Sequence, residues 1–359
     1  MLRIPVALHE LRGLLKAFDE ESLSLEIEEE TLSRLAIVGP VNSGKSTLVN
    51  LLVGKQVSPV TAVPGTTREV ITRHLGPFTL MDTPGFGEVG GVDRGGIALE
   101  AMREADVVVL LFDAAAGLRQ DDYDLFQRLR GNRRPIIVAL NKIDLIRRDL
   151  GLVLADAQSK LGETVIPVSA KEGTNVAEIL LPEVIEKRPA LAVALGRVLP
   201  LYRRKMARSV IRNASALNLL IGMEPIPLLD IPLLLASQVR MILRVAAMYD
   251  QGMGSARAKE LLSTIAGGVL LRYGTQQALK FLPGPGWIVS GLIAAAGTWA
   301  MGRVAVAYFE SRNRLSADQM RVLYGTLRRL WMRIGGGSSR GIRARLRSLG
   351  GRGSDWSLD

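Results

Sequence analysis

From Arg34 onward, short apolar runs alternate with longer stretches of helical periodicity. Residues 35–38, 107–112, 135–140 and 165–168 are compact apolar runs bounded by turn residues, the pattern of strands buried on both faces. Between them, residues 45–53, 97–104, 120–130 and 175–187 carry apolar side chains at helical spacing. Parallel strands need crossover connections, and these helices supply them. The pattern therefore predicts an α/β domain over residues 31–188, a mostly parallel sheet with helices on both faces. Residues 70–75 and 78–82 read as an antiparallel excursion within it.

Beyond Pro189 the strand signals stop. Residues 189–200 read as an Ala/Leu-rich linker, and residues 201–334 as an all-α domain of Leu, Ala, Gly, Met and Arg. Two parts of it are strongly apolar. Residues 214–238 are broken by Pro225, Pro227 and Pro232 and contain Glu224 and Asp230, whereas residues 281–302 contain no charge. The tail, residues 335–359, is Gly-, Ser- and Arg-rich and too poor in apolar side chains to build a core, so disorder is expected there. Residues 1–30 are read as a short amphipathic N-terminal helix followed by an acidic linker, without the apolar run of an export signal.

Composition sharpens this division. At 359 residues the chain is long enough for two cores. Cysteine is absent, which excludes disulfides and thiolate metal sites and suits a reducing cytoplasmic location. Any metal must then be a hard cation. The net charge of +11 is unevenly placed: residues 196–359 carry 24 Lys and Arg against 8 Asp and Glu, and residues 1–195 carry 22 against 27. The two parts face different partners.

Four motifs follow one another through the α/β region. GPVNSGKST, residues 39–47, is a G-x-x-x-x-G-K-S/T loop between a strand and a helix. Its backbone N–H groups, with Asn42, Ser43, Gly44 and Thr47, would cradle phosphates at a helix N-terminus. Lys45 would neutralise them, and Ser46 would ligate Mg²⁺. DTPG, residues 82–85, puts Asp82 at a strand end, where it would support the same ion, with the Gly85 N–H facing the γ-phosphate. NKID, residues 141–144, sets the base. Asp144 can accept two hydrogen bonds from guanine N1–H and its exocyclic amine, which adenine does not offer, so an adenine nucleotide would leave the carboxylate unpaired. Lys142 would lie along the base, and Asn141 would tie its loop to the phosphate loop. Ser169, Ala170 and Lys171 form SAK, in which the Ala170 N–H would meet the guanine oxygen.

With PGTTRE at residues 64–69 and DAAAGLRQDD from Asp113, these elements resemble the translation-factor-related GTPases that include Era, Der and TrmE. The resemblance implies GTP hydrolysis, with Thr67, ahead of its neighbour Thr66, completing Mg²⁺ coordination and residues 57–69 released when the γ-phosphate leaves. Phe86 stands where Ras-type enzymes carry a water-orienting Gln. Asn42 occupies the position that helps TrmE-like and Der-like enzymes bind potassium, so K⁺-stimulated hydrolysis, with dimerisation of GTPase domains, is implied. Lys45, Asn42, Thr67 and Gly85 are the candidate catalytic residues. Glu88 and Asp93 are acidic candidates for positioning water.

The second half resembles a helical domain found fused to Era-like GTPases and often associated with membranes. The residues are those of MEPIPLLDIPLLLASQVRMILRVAAMYD from Met223, LPGPGWIVSG from Leu282, and AVAYFE ending at Glu310. Flanking arginines suit an anionic cytoplasmic leaflet. Residues 281–302 reach the roughly 20 needed for a span. The Pro-Gly start shortens this to 16 residues before Arg303, which suits a buried core helix equally well. RNA or a ribosome is the rival partner, although no KH-type GXXG signature is present. The resulting expectation is a GTP/GDP switch on the cytoplasmic side of a membrane; a ribosome-associated GTPase or a scaffold with negligible turnover are the alternatives.

Overall fold

The computed structural model describes residues 20–54, 71–83, 104–131, 134–146, 148–224, 230–251, 255–266 and 286–334. Two compact units divide the chain, residues 26–209 and residues 210–359 with 1–25.

The first unit is built on six strands: β1 (Leu35–Pro40), β2 (Ile71–Leu75), β3 (Phe78–Thr83), β4 (Val107–Asp113), β5 (Ile136–Asn141) and β6 (Val165–Pro167). They form one sheet in the order β2-β3-β1-β4-β5-β6. All pairs are parallel except the β2–β3 hairpin. Residues 35–39 of β1 and 107–112 of β4 are buried throughout, which explains their unbroken apolar runs. Helices α2 (Lys45–Val53), α3 (Gln120–Arg130), α4 (Leu150–Leu161) and α5 (Leu181–Lys187) accompany the sheet, after α1 (Glu20–Thr31). One face of the core gathers Val38, Leu110, Phe112, Leu125, Phe126, Leu140 and Leu161. The expected sheet and hairpin are thus present.

Three segments depart from the expectation. The acidic stretch assigned to a linker forms α1, because Leu23 and Ile27, one turn apart, both find buried positions. The single helix expected at 175–187 is a π-turn (Val176–Leu180) followed by α5, with Pro182 at the break, where its missing N–H cannot continue the helical ladder. The supposed linker 189–200 contains α6 (Leu191–Val198), whose residues 191–196 are all buried. Its only charged residue is Arg197, so water offers it little, and it belongs to the first unit's core.

Helix α7 (Arg203–Gly222) contains the boundary between the units, and α8 (Asp230–Met248), α9 (Ser255–Ala266), α10 (Gly286–Glu310) and α11 (Ala317–Ile334) follow. Pro232 lies in the first turn of α8, where no intrahelical N–H bond is lost. Helix α10 is longer than the 16-residue run expected to stop at Arg303; the Arg303 guanidinium lies over the Trp299 ring, 5.9 Å from its centroid, so this charge does not interrupt the helix. By length and composition alone, α8 and α10 could each cross a membrane.

In this structure both are core helices. Helix α10 packs against α8, α9 and α11, and α8 has no exposed residue among 230–248. A Cβ added at Gly291 would lie 2.6 Å from the Leu219 carbonyl oxygen, and one at Gly302 would lie 2.5 Å from Ile211 Cγ1, so α7 and α10 approach closely through small residues. Their interior holds a polar node. Thr298 Oγ1 accepts from Asn218 Nδ2 at 2.7 Å and Gln238 Nε2 at 3.0 Å, and donates to the Ala294 carbonyl at 2.9 Å.

Candidate nucleotide site

Strand register assembles the site. Gly39 pairs with Asp82 across β1 and β3, and Asp113 pairs with Asn141 across β4 and β5. Motifs distant in sequence therefore share the carboxyl edge of the sheet, where ligands of doubly wound folds sit.

The phosphate loop is tightly held. Gly44 adopts φ +97°, and a Cβ there would lie 2.1 Å from Asn141 Nδ2. Only glycine satisfies both the left-handed backbone and that contact. Asn42, exposed, is also left-handed at φ 67°, which asparagine tolerates better than most residues. Lys45 is buried and donates from Nζ to the carbonyls of Gly39 (2.9 Å) and Pro40 (2.7 Å) and to Ser43 Oγ (3.3 Å). These bonds hold a cation against the loop at the N-terminus of α2. Ser46 and Thr47 occupy the first turn of that helix, half-buried.

Asn141 joins three motifs. Its Nδ2 donates to the Ser43 carbonyl at 2.7 Å, and its Oδ1 accepts from the Ala170 N–H at 2.8 Å. The side chain is buried, so both halves of the amide are satisfied away from water. Ser169, fully buried, donates from Oγ to Asp144 Oδ1 at 2.7 Å and accepts from the Glu172 N–H at 3.1 Å. Asp144 itself remains partly exposed, with Oδ1 oriented by that bond. The Ala170 N–H, expected on the guanine oxygen, is engaged by Asn141 here. Lys171 is exposed beside it.

Lys142 is placed by a partner that sequence reasoning did not assign. Its Nζ lies 2.6 Å from Asp113 Oδ2 in a largely shielded ion pair, while its backbone is left-handed at φ 68°. A non-glycine residue held there marks a conformation imposed by its surroundings. Asp113 Oδ1 also accepts from the N–H of Ala115 at 2.9 Å. The available signal was an Asp at a strand end ahead of small residues, a turn former able to bond its own following backbone.

Asp82 stands at the end of β3 opposite Gly39, so its backbone is at the phosphate loop. Thr67, Gly85, Phe86, Glu88 and Asp93 lie outside the described residues, as do the segment 57–69 and the tail 335–359. Among the described residues no group of three His, Cys, Asp or Glu side chains forms a metal cluster. The Ser46 hydroxyl, in the first turn of α2, is a hard oxygen of the kind Mg²⁺ prefers.

The chain is similar to known proteins in two separate regions. Residues 34–142 match a family model described as a 50S ribosome-binding GTPase. Residues 191–332 match one described as a domain of unknown function, DUF697. GTPase Der of Desulforudis audaxviator is 35% identical over 207 residues, covering 55% of this chain and 46% of Der. GTPase Era of Halothermothrix orenii is 32% identical over 163 residues, covering 43% of this chain and 55% of Era. The chain spans about half the length of the curated relatives it matches. A crystal structure of Era in complex with MgGDPNP and nucleotides of 16S ribosomal RNA is 26% identical, covering 51% of this chain and 66% of that one, with a TM-score of 0.36. Over residues 34–142 the chain is thus similar to the P-loop GTPases of the Era and Der type, and over residues 191–332 to the DUF697 domain.

Proposed function

We propose that this chain binds GTP and GDP at the carboxyl edge of its sheet, hydrolyses GTP, and acts as a switch at a membrane surface on the cytoplasmic side. The observation that carries the nucleotide reading is the Asn141 amide, which links Ser43 of the phosphate loop to Ala170 of SAK while Ser169 orients Asp144. Residues 42–47 would hold the phosphates, and Asp144, Lys142, Ala170 and Lys171 the guanine. Mg²⁺, held by Ser46, Thr67 and Asp82, would neutralise charge on the β- and γ-phosphates. Gly85 would donate to the γ-phosphate, and Asn42 would help hold K⁺ beside it, in a homodimer of GTPase domains. The membrane reading rests on the excess of positive charge after residue 195.

Phosphate release is the test, measured in potassium and in sodium at equal ionic strength. Faster turnover in potassium, lost in Asn42→Ala, supports the reading. Equal rates in both salts discard the potassium role, and absence of turnover in either leaves a guanine-nucleotide scaffold. The ribosomal description of the matching family favours a second reading, ribosome association, which predicts salt-sensitive co-sedimentation with ribosomal particles.

A further inference from the structure

We infer that the helical domain meets an anionic lipid surface as a folded bundle, through an apolar tip of Leu220, Trp287, Ile288, Val289 and Leu292, without threading α8 or α10 across the bilayer. The inference rests on the membrane reading above and assigns the side chains that carry it.

The exposure of α10 is confined to one end. Trp287, Ile288, Val289 and Leu292 are 37–44% exposed, and every later residue of the helix is buried or half-buried. Ile288 and Leu292 are one turn apart and share a face. At the same end, the contacts of Gly222 and Gly291 bring the last turn of α7 against α10, and Leu220 there is 49% exposed. Among the described residues of α10, then, two turns of apolar surface project where the rest is covered. A Trp with branched aliphatic neighbours suits the boundary between headgroups and acyl chains.

A transmembrane arrangement conflicts with the same structure. Helices α8 and α10 already bury their apolar faces against neighbouring helices, so they gain little from lipid. Helices α7 and α11, in turn, expose Arg212, Arg321, Arg329 and Arg333, which a bilayer interior would penalise.

Charge selects among possible occupants. Residues 196–359 hold 24 basic against 8 acidic side chains, so two copies meeting tip to tip would bring like charge together. Nucleic acid would satisfy the charge and leave Ile288, Val289 and Leu292 without a partner. An anionic lipid surface satisfies both. The tip inserts shallowly while the arginines remain among the headgroups.

The test uses the full chain with vesicles of phosphatidylcholine, with and without phosphatidylglycerol. Flotation with the anionic vesicles and release by alkaline carbonate are expected. The triple variant Trp287→Ser/Ile288→Ser/Leu292→Ser should lose about tenfold or more in partitioning. Helicity and nucleotide binding in that variant should match the parent, because the substituted side chains are at the surface. Val322→Ser, an exposed apolar residue on α11, should float as the parent does. The natural chain contains no cysteine, so an environment-sensitive dye on Ile288→Cys should report an apolar setting only with anionic vesicles, and one on Val322→Cys should not. Unchanged flotation of the triple variant overturns the tip and leaves the membrane reading standing. Retention after carbonate overturns peripheral docking. Failure of the parent chain to float removes the membrane reading, and the tip with it.

Discussion

At the residue scale, Asn141 and Asp144 carry the most information for their size. Asn141→Ala would leave the Ser43 carbonyl and the Ala170 N–H unpaired in a buried setting, at about 1–3 kcal/mol each. Urea unfolding of the first unit should register that loss, with guanine-nucleotide affinity falling alongside it. Asp144→Asn keeps the size of the side chain and replaces an acceptor of two hydrogen bonds with a mixed group. We expect GTP affinity to drop by about 100-fold or more, as buried mismatched polar groups cost several kcal/mol, and competition titration with a fluorescent guanine nucleotide measures it. Both residues were legible in the sequence because NKID carries its meaning in consecutive positions. Asp113 was not legible as the partner of Lys142, since their pairing depends on the register of β4 against β5.

The element scale shows where local pattern and tertiary context diverge. Residues 189–200 read as a linker because Pro189 and Pro200 frame them, yet α6 buries residues 191–196 and Arg203 caps its end, donating from Nε to the Gly196 carbonyl at 2.9 Å. Leu195→Ala should therefore destabilise the first unit by about 2–5 kcal/mol, read from its unfolding midpoint; a change near zero would restore the linker reading. Helix α3 carries a pH signature. Asp122 accepts from the Arg119 N–H at 3.0 Å, and burial, opposed by that bond and the Arg119 charge, raises its pKa above the ordinary carboxylate value. A raised pKa means the folded state favours the protonated form, so Asp122 contributes most at low pH and that contribution is lost as pH rises through its folded pKa. Asp122→Asn, which keeps an acceptor without the charge, should gain stability relative to the parent at neutral pH. The difference should shrink as both are titrated toward acid, and chemical denaturation at several pH values checks it.

At the scale of the whole molecule, the two units should answer a ligand separately. GDP at 100 times its Kd should stabilise the first unit by about 2.7 kcal/mol. In calorimetry one transition should move and the transition of residues 210–334 should stay; movement of both would show coupling through the shared helix α7. By itself the sequence determined the sheet, the hairpin and the order of the loop motifs, because unbroken apolar runs, helical periodicity and short motifs are written in neighbouring residues. It could not decide whether α8 and α10 are spans or core, since an apolar helix obeys the same composition in lipid and in protein. Only the tertiary structure placed α8, α9 and α11 around α10, ran α10 past Arg303, and left a few apolar side chains uncovered at one end. Burial is a property of neighbours, and those neighbours lie tens of residues away along the chain.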